Sequence, residues 1–147
     1  MRLSRFVLLL VVLAVVAVGV RAFRPAPKSP EDQVHAVVEE MAKGARDHDA
    51  AAVMDHVSES FQSSELGNKQ ELKAYVLGVL LRGGVVEARV LDSRAEALPG
   101  GEVLFTGRLF LGQTAGGLDL GQQAVQATFV NEDGTWRAVR AHVEPVR

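Results

Sequence analysis

The chain has 147 residues, a formal charge of −2, 48% hydrophobic residues and no cysteine. This length suits one domain, and the lack of cysteine excludes disulfide bridges, thiolate catalysis and cysteine-ligated zinc. From Pro25 onward 12 lysines and arginines face 18 aspartates and glutamates, and the resulting charge of −6 argues against nucleic acid as a partner.

The N-terminal segment has the features of an export signal or a membrane anchor. Fifteen uncharged residues, mostly Val, Leu and Ala, occupy 6–20 after Arg2 and Arg5. As a helix this run reaches about 22 Å, less than a hydrocarbon core of roughly 30 Å, which favours a cleaved signal peptide. Weak cleavage sites and snorkelling by the flanking arginines favour an uncleaved single-pass anchor through residues 6–23. We prefer the anchor, with the domain at the cell membrane and outside the cytoplasm. The alternative is a secreted or periplasmic protein after cleavage.

The composition divides the chain into three parts. Residues 1–24 form the signal-anchor or signal peptide. Residues 25–30 are a proline-rich linker, because prolines keep a short spacer extended. Residues 31–147 form the single folded domain.

Three helices are expected in the first half of this domain. The first begins with Ser29 as its N-cap and ends near Arg46. A short second helix covers 50–57, and a third begins with a capping-box-like pattern at Asn68 and stops at Gly83. The apolar residues at helical spacing are Val34, Val37, Val38, Met41 and Ala45 in the first helix, and Leu72, Tyr75, Val76, Val79 and Leu80 in the third.

The second half of the domain alternates apolar and polar residues, which is typical of strands. The alternating segments are 85–97, 102–112, 119–131 and 135–144, and glycine-rich turns separate them. The sequence therefore predicts an α+β fold. Three N-terminal helices pack on a curved four-stranded antiparallel sheet, preceded by an apolar membrane segment.

Three stretches resemble the nuclear-transport-factor-2-like superfamily, which includes SnoaL-like proteins and has a cystatin-like α+β cone. They are ARDHDAAAVMDHVSESF, LGNKQELKAYVLGVL and NEDGTWRAVRAHVEP, and the resemblance covers about residues 31–144. The stretch between Val57 and Asn68 departs from the family, because it leaves scarcely room for the short strand pair usually found there. We therefore expect a loop there and no deep, closed cavity.

The resemblance implies a cone that can hold a small apolar ligand, or a sheet that can dock a protein partner or a second copy as a homodimer. Enzymes of the superfamily place an Asp or His base inside the cone, and two residues are candidates for that role. Asp92 interrupts the apolar face of its strand, although a bulge near Leu91 or Ser93 would turn it outward. His142 shares a strand face with Glu144, and a solvated sheet face explains this pair equally well.

The remaining chemistry-bearing residues have ordinary structural explanations. The other three histidines are expected at the surface or at helix ends, and Tyr75 and Trp136 are expected to fill the core. The sequence has no metal-ligand spacing and no phosphate-binding loop, so we expect no metal and no cofactor. The favoured function is a membrane-tethered or exported, non-catalytic binding domain of unknown ligand. The alternative is a small isomerase, dehydratase or cyclase acting on an apolar substrate.

Overall fold

A computed structural model describes residues 28–83, 86–113 and 119–146. The predicted leader at 6–23 and the turn at 114–117 lie outside these residues. No helix within the described residues is both long enough and apolar enough to cross a bilayer.

Three helices and six strands form the described part of the chain. In order they are α1 (Pro30–Arg46), α2 (Ala50–Met54), β1 (Val57–Ser63), β2 (Gly67–Asn68), α3 (Lys69–Leu81), β3 (Val86–Ala97), β4 (Val103–Gln113), β5 (Asp119–Glu132) and β6 (Thr135–Pro145). Each of the four predicted strands is present within one residue of its expected bounds. Period-two alternation therefore locates the long strands correctly.

The prediction of a four-stranded antiparallel sheet was wrong. The sheet has six strands in the order β2-β1-β6-β5-β4-β3, and it is mixed because β1 runs parallel to β6. The two additional strands lie between Val57 and Asn68, where we expected a loop. They fit because β2 is only two residues long and pairs Gly67 with Ser63 across a short turn.

Helix α1 begins where a cap and a proline both favour helical structure. Ser29 Oγ accepts a hydrogen bond from the N–H of Asp32 at 3.2 Å, and Pro30 stands at the first position, where no intrahelical N–H bond is needed. The apolar stripe of α1 then packs on the sheet. Its buried side chains are Val34, Val37 and Val38.

The inner face of the sheet carries an aromatic core beneath α1. Phe105 and Phe129, from β4 and β5, meet edge to face with their ring centroids 6.5 Å apart. Trp136, at the start of β6, is buried, and its Nε1–H donates to Gln33 Oε1 of α1 at 2.8 Å. The prediction that Trp136 fills the core is confirmed.

A bulge in β3 changes which residues face the core. The pairing of β3 with β4 shifts between Val90 and Asp92, which leaves Leu91 as an extra residue. Because successive strand residues point to opposite faces, one extra residue moves Asp92 to the outer face. Opposite the bulge, Gly107 permits a close approach of the strands, since a Cβ there would lie 2.8 Å from the Asp92 carbonyl oxygen.

Candidate functional site

A cavity of about 500 Å³ lies between the three helices and the inner face of the sheet. Small-molecule sites commonly have volumes of about 300–1,000 Å³ and a mainly apolar lining. This lining is contributed mostly by aliphatic side chains. Representative ones are Val38, Val76, Leu109, Val125 and Val143.

Helix α3 forms one wall of the cavity without being deeply buried itself. The whole predicted stripe faces the cavity, comprising Leu72, Tyr75, Val76, Val79 and Leu80. Among residues of α3, only Leu80 is buried, whereas Tyr75 is 47% exposed. The expectation that Tyr75 fills the core was therefore wrong, because the space beside it is not filled.

Polar contacts hold the two ends of α3. At the start, Asn68 Oδ1 accepts from the N–H of Glu71 at 3.0 Å, and Glu71 Oε2 accepts from the N–H of Asn68 at 3.2 Å. At the end, His48 Nδ1 lies 3.2 Å from the carbonyl oxygen of Leu80. The helix is thus held by polar contacts at both ends, while Leu72 and Val76 pack against the core without being buried.

Few polar groups reach the cavity. The polar lining residues are Glu65, Tyr75, Glu87, Arg89 and Gln123, and Gln123 is the buried one among them. Arg89 Nη2 donates to Glu87 Oε2 at 3.0 Å, so these two charges form an exposed pair with each other. No aspartate and no histidine lines the cavity among the residues that the structure describes.

The structure places Asp92 on the outer face of the sheet, away from the cavity. Arg108 Nε donates to Asp92 Oδ2 at 2.9 Å, and Arg108 Nη2 contacts the same oxygen. The hydrogen bond from this guanidinium lowers the pKa of Asp92 below its ordinary value. Asp92 therefore sits as an ionised carboxylate in a surface ion pair, which gives it no access to a ligand in the cone.

His142 also lies on the outer face, between two carboxylates. Its Nε2 is 2.7 Å from Glu144 Oε1, and its Nδ1 is 2.6 Å from Glu65 Oε1. The hydrogen bonds to Glu144 and Glu65 raise the pKa of His142 above its ordinary value. The structure thus supports the explanation that His142 and Glu144 lie together on a solvated face of the sheet. It also shows a contact of His142 with Glu65, which the sequence did not indicate.

The other histidines make structural contacts. His35 Nδ1 lies 3.1 Å from Ser93 Oγ, and the His35 ring meets Phe105 edge to face. His56 connects β6 to α1, because its Nδ1–H donates to the Trp136 carbonyl at 3.0 Å and its Nε2 lies 3.1 Å from Glu40 Oε2. No group of acidic or histidine side chains in the described residues could hold a metal ion.

A second depression of about 580 Å³ lies on the outer face, beside β1. It is lined by polar residues that include Gln62, Gln126, Thr128, Arg140 and His142. Arg140 Nη2 contacts Glu102 at 3.3 Å, and His142 contacts two glutamates. The two basic side chains that line this depression are therefore already paired with acidic ones. The apolar cavity is the better candidate for a ligand.

Neither a family model nor a curated protein matches this sequence. Solved structures do match, among them an NTF2-like protein of unknown function from Pseudomonas putida KT2440, with a TM-score of 0.64 and 13% identity over 78% of this chain and 84% of that one. The chain therefore has the nuclear-transport-factor-2-like fold.

Two further structures share this NTF2-like fold. A protein of unknown function with a cystatin-like fold, from Nostoc punctiforme PCC 73102, has a TM-score of 0.60 and 11% identity over 76% of this chain and 87% of that one. A provisionally named dehydratase of the NTF2-like family, from Streptomyces avermitilis, has a TM-score of 0.64 and 15% identity over 79% of this chain and 95% of that one. At these identities the similarity establishes the fold and leaves the function to the site itself.

Proposed function

We propose that the NTF2-like domain binds a small apolar ligand in its cone without transforming it. The observation that carries this proposal is the lining of the cavity, which is almost entirely aliphatic and aromatic. Asp92 and His142, the two candidate catalytic residues, both lie on the opposite face of the sheet. Apolar burial supplies affinity for such a ligand, and the few polar groups at the lining orient it.

The alternative function is that of an enzyme. One structural neighbour is named as a dehydratase, which supports this alternative. Proton transfer needs an acid or base within hydrogen-bond reach of the reacting atoms. The ionisable groups that line this cavity are Glu65, Tyr75, Glu87 and Arg89. Glu65 is held by serine hydroxyls and His142, and Glu87 is paired with Arg89, so no free base faces the cavity from the described residues.

The expected location and assembly stay predictions. Export or anchoring depends on residues 6–23, which lie outside the described residues. A homodimer through the sheet would use the outer face, which carries the partly exposed side chains of Leu104 and Phe110. Intact mass of material recovered from cells tests the first prediction, and native mass spectrometry tests the second.

Binding can be tested with one pair of alanine-to-phenylalanine variants of the full chain, held in an amphipathic polymer and titrated with N-phenyl-1-naphthylamine. Ala141 faces the cavity, whereas Ala124 lies half-buried on the outer face. Ala141→Phe places a ring in the cavity, where the ring and the probe compete for the same space. Overpacking the complex costs about 1–3 kcal/mol, so probe binding should weaken about tenfold. Ala124→Phe should bind like the wild type.

Two results would contradict the proposal. One is equal probe binding by both variants, because the bound probe would then sit in the polymer or on the surface. The other is turnover of apolar hydroxylated or ketone substrates that is lost in Ala141→Phe, which would favour the enzyme.

A further inference from the structure

The turn that precedes α3 lies between the cavity and His142. It spans residues 64–66 and joins β1 to β2. Leu66 packs against the core and lines the cavity, while the neighbouring Glu65 contacts both the cavity and His142 of β6. Asn68, the second residue of β2, is the N-cap of α3. The position of the turn therefore sets the position of the helix.

Glu65 is held in place by several donors at once. The hydroxyls of Ser64 and Ser63 donate to its carboxylate at 2.6 Å and 3.1 Å, and His142 Nδ1 lies 2.6 Å from Oε1. The hydrogen bond from Ser64, together with the others, lowers the pKa of Glu65 to about 2. This carboxylate is therefore charged at all physiological pH values, and His142 is the member of the pair that titrates.

We propose that the contact between His142 and Glu65 is a pH-dependent latch that holds α3 in place as a wall of the cavity. The latch rests on the proposed function, because it regulates access to the ligand site. When His142 carries a proton, its ring joins the turn to β6 and keeps Leu66 and the start of α3 in place. When the proton is lost, the charge attraction between the ring and Glu65 disappears, and the single N–H of the neutral ring can serve only one of Glu65 and Glu144 at a time. The turn is then held more weakly.

α3 is the element that release of this turn would move. Only one of its side chains is buried, and Leu72 and Val76 pack against the core without being buried. Its ends are held by the cap at Asn68, the ion pair of Lys69 with Glu59 and the contact of His48 with Leu80. Elements with few buried apolar contacts open locally at low free energy. α1, which buries three valines against the sheet, would stay in place.

The charged groups around His142 set the direction of the pH dependence. They are Glu65 from the turn and Arg140 and Glu144 from β6, while the facing residues of β5 are uncharged. The two glutamates raise the pKa of His142, so the ion pair is complete below the ordinary histidine pKa of about 6.5. It is lost as the pH rises through the higher folded-state pKa. The cavity should therefore release ligand faster on the alkaline side.

The test combines histidine NMR with release of N-phenyl-1-naphthylamine from the full chain, between about pH 5.5 and about pH 9.5. In the wild type, the release rate should rise about threefold with the same midpoint as the ring protons of His142, as expected for loss of an exposed ion pair. A methyl resonance of Leu66 should shift with that midpoint too. His142→Gln and Glu65→Gln should release the probe at the alkaline wild-type rate at every pH.

Glu144→Gln is the matched control, because it removes one partner of His142 and leaves the contact with the turn. The rise in release rate should persist, because the charge of His142 is still lost, and it should move to lower pH. The latch is overturned if His142→Gln keeps the wild-type pH profile, or if the Leu66 methyl does not follow the titration of His142. If no probe binds at any pH, the proposed function fails instead, and the Leu66 shift still decides whether the latch exists.

Discussion

The two halves of the inner sheet face have similar residues but different coverings. Under α1, Phe105 and Phe129 also border the cavity, but they are almost completely buried among the valines of the helix. Under α3, Leu109 and Val125 are only partly buried and border an open cavity. The apolar sheet surface is therefore closely packed in one half and borders an open cavity in the other, and the helix above it makes the difference.

This difference predicts that stability and function are divided between the halves. Burial of apolar surface stabilises the α1 half, because its side chains exchange water for close contacts. The α3 half has fewer such contacts, because atoms that line an unfilled space have no neighbouring atoms on one side. Substitutions in the first half should therefore unfold the protein, and those in the second should alter ligand binding.

The largest effect should come from Phe105→Ala. Phe105 is 1% exposed and contacts the rings of His35 and Phe129, so its loss removes these close contacts and enlarges the cavity that it borders. We expect the free energy of unfolding to fall by about 3–5 kcal/mol in urea denaturation. Leu109→Ala, two residues beyond Gly107 on the same strand face, should lose less than about 2 kcal/mol because its neighbourhood is already open. Equal losses would refute the division into a filled half and a hollow half.

A smaller effect should distinguish two glycines of β4. At Gly107 a Cβ would lie 2.8 Å from the carbonyl oxygen of Asp92, and backbone in a paired strand cannot yield easily. Gly107→Ala should therefore lower the free energy of unfolding by about 1–3 kcal/mol. At Gly112, beside the cavity, the nearest atom is a ring carbon of Phe110 at 3.5 Å, an ordinary contact. Gly112→Ala should be neutral or slightly stabilising in thermal unfolding, and a matching loss there would contradict the comparison.

Sequence periodicity predicted the long strands and helices because their apolar residues recur at the spacing of one buried face. It missed β1 because that strand buries polar groups. Val57 and Phe61 are buried, but Ser58 between them is also 1% exposed, and its hydroxyl donates to Glu132 Oε2 at 3.0 Å. A buried serine with a distant partner looks like a loop residue in the sequence. The periodicity of apolar residues alone therefore could not predict the number of strands.

The site was predictable only in part. Alternation correctly placed His142 on the solvated face with Glu144, and the suspected bulge near Leu91 is present. The contact of His142 with Glu65 could not be anticipated, because it depends on the parallel pairing of β1 with β6. The open space beside α3 was also hidden, since an apolar stripe at helical spacing looks the same over a core and over a cavity.

The smallest effect should separate a helix held by its ends from a helix held by its face. Asn68→Ala removes the N-cap of α3, whose loss typically costs about 1 kcal/mol. Amide exchange in the first turns of α3 should become about fivefold faster, because little burial opposes its opening. Ser29→Ala removes the equivalent cap of α1 and is the matched control. Exchange beyond the first turn of α1 should stay unchanged, since Val34 and its neighbours hold that helix to the sheet. If both helices lost protection equally, the weak attachment of α3, and with it the mobile wall of the cavity, would be disproved.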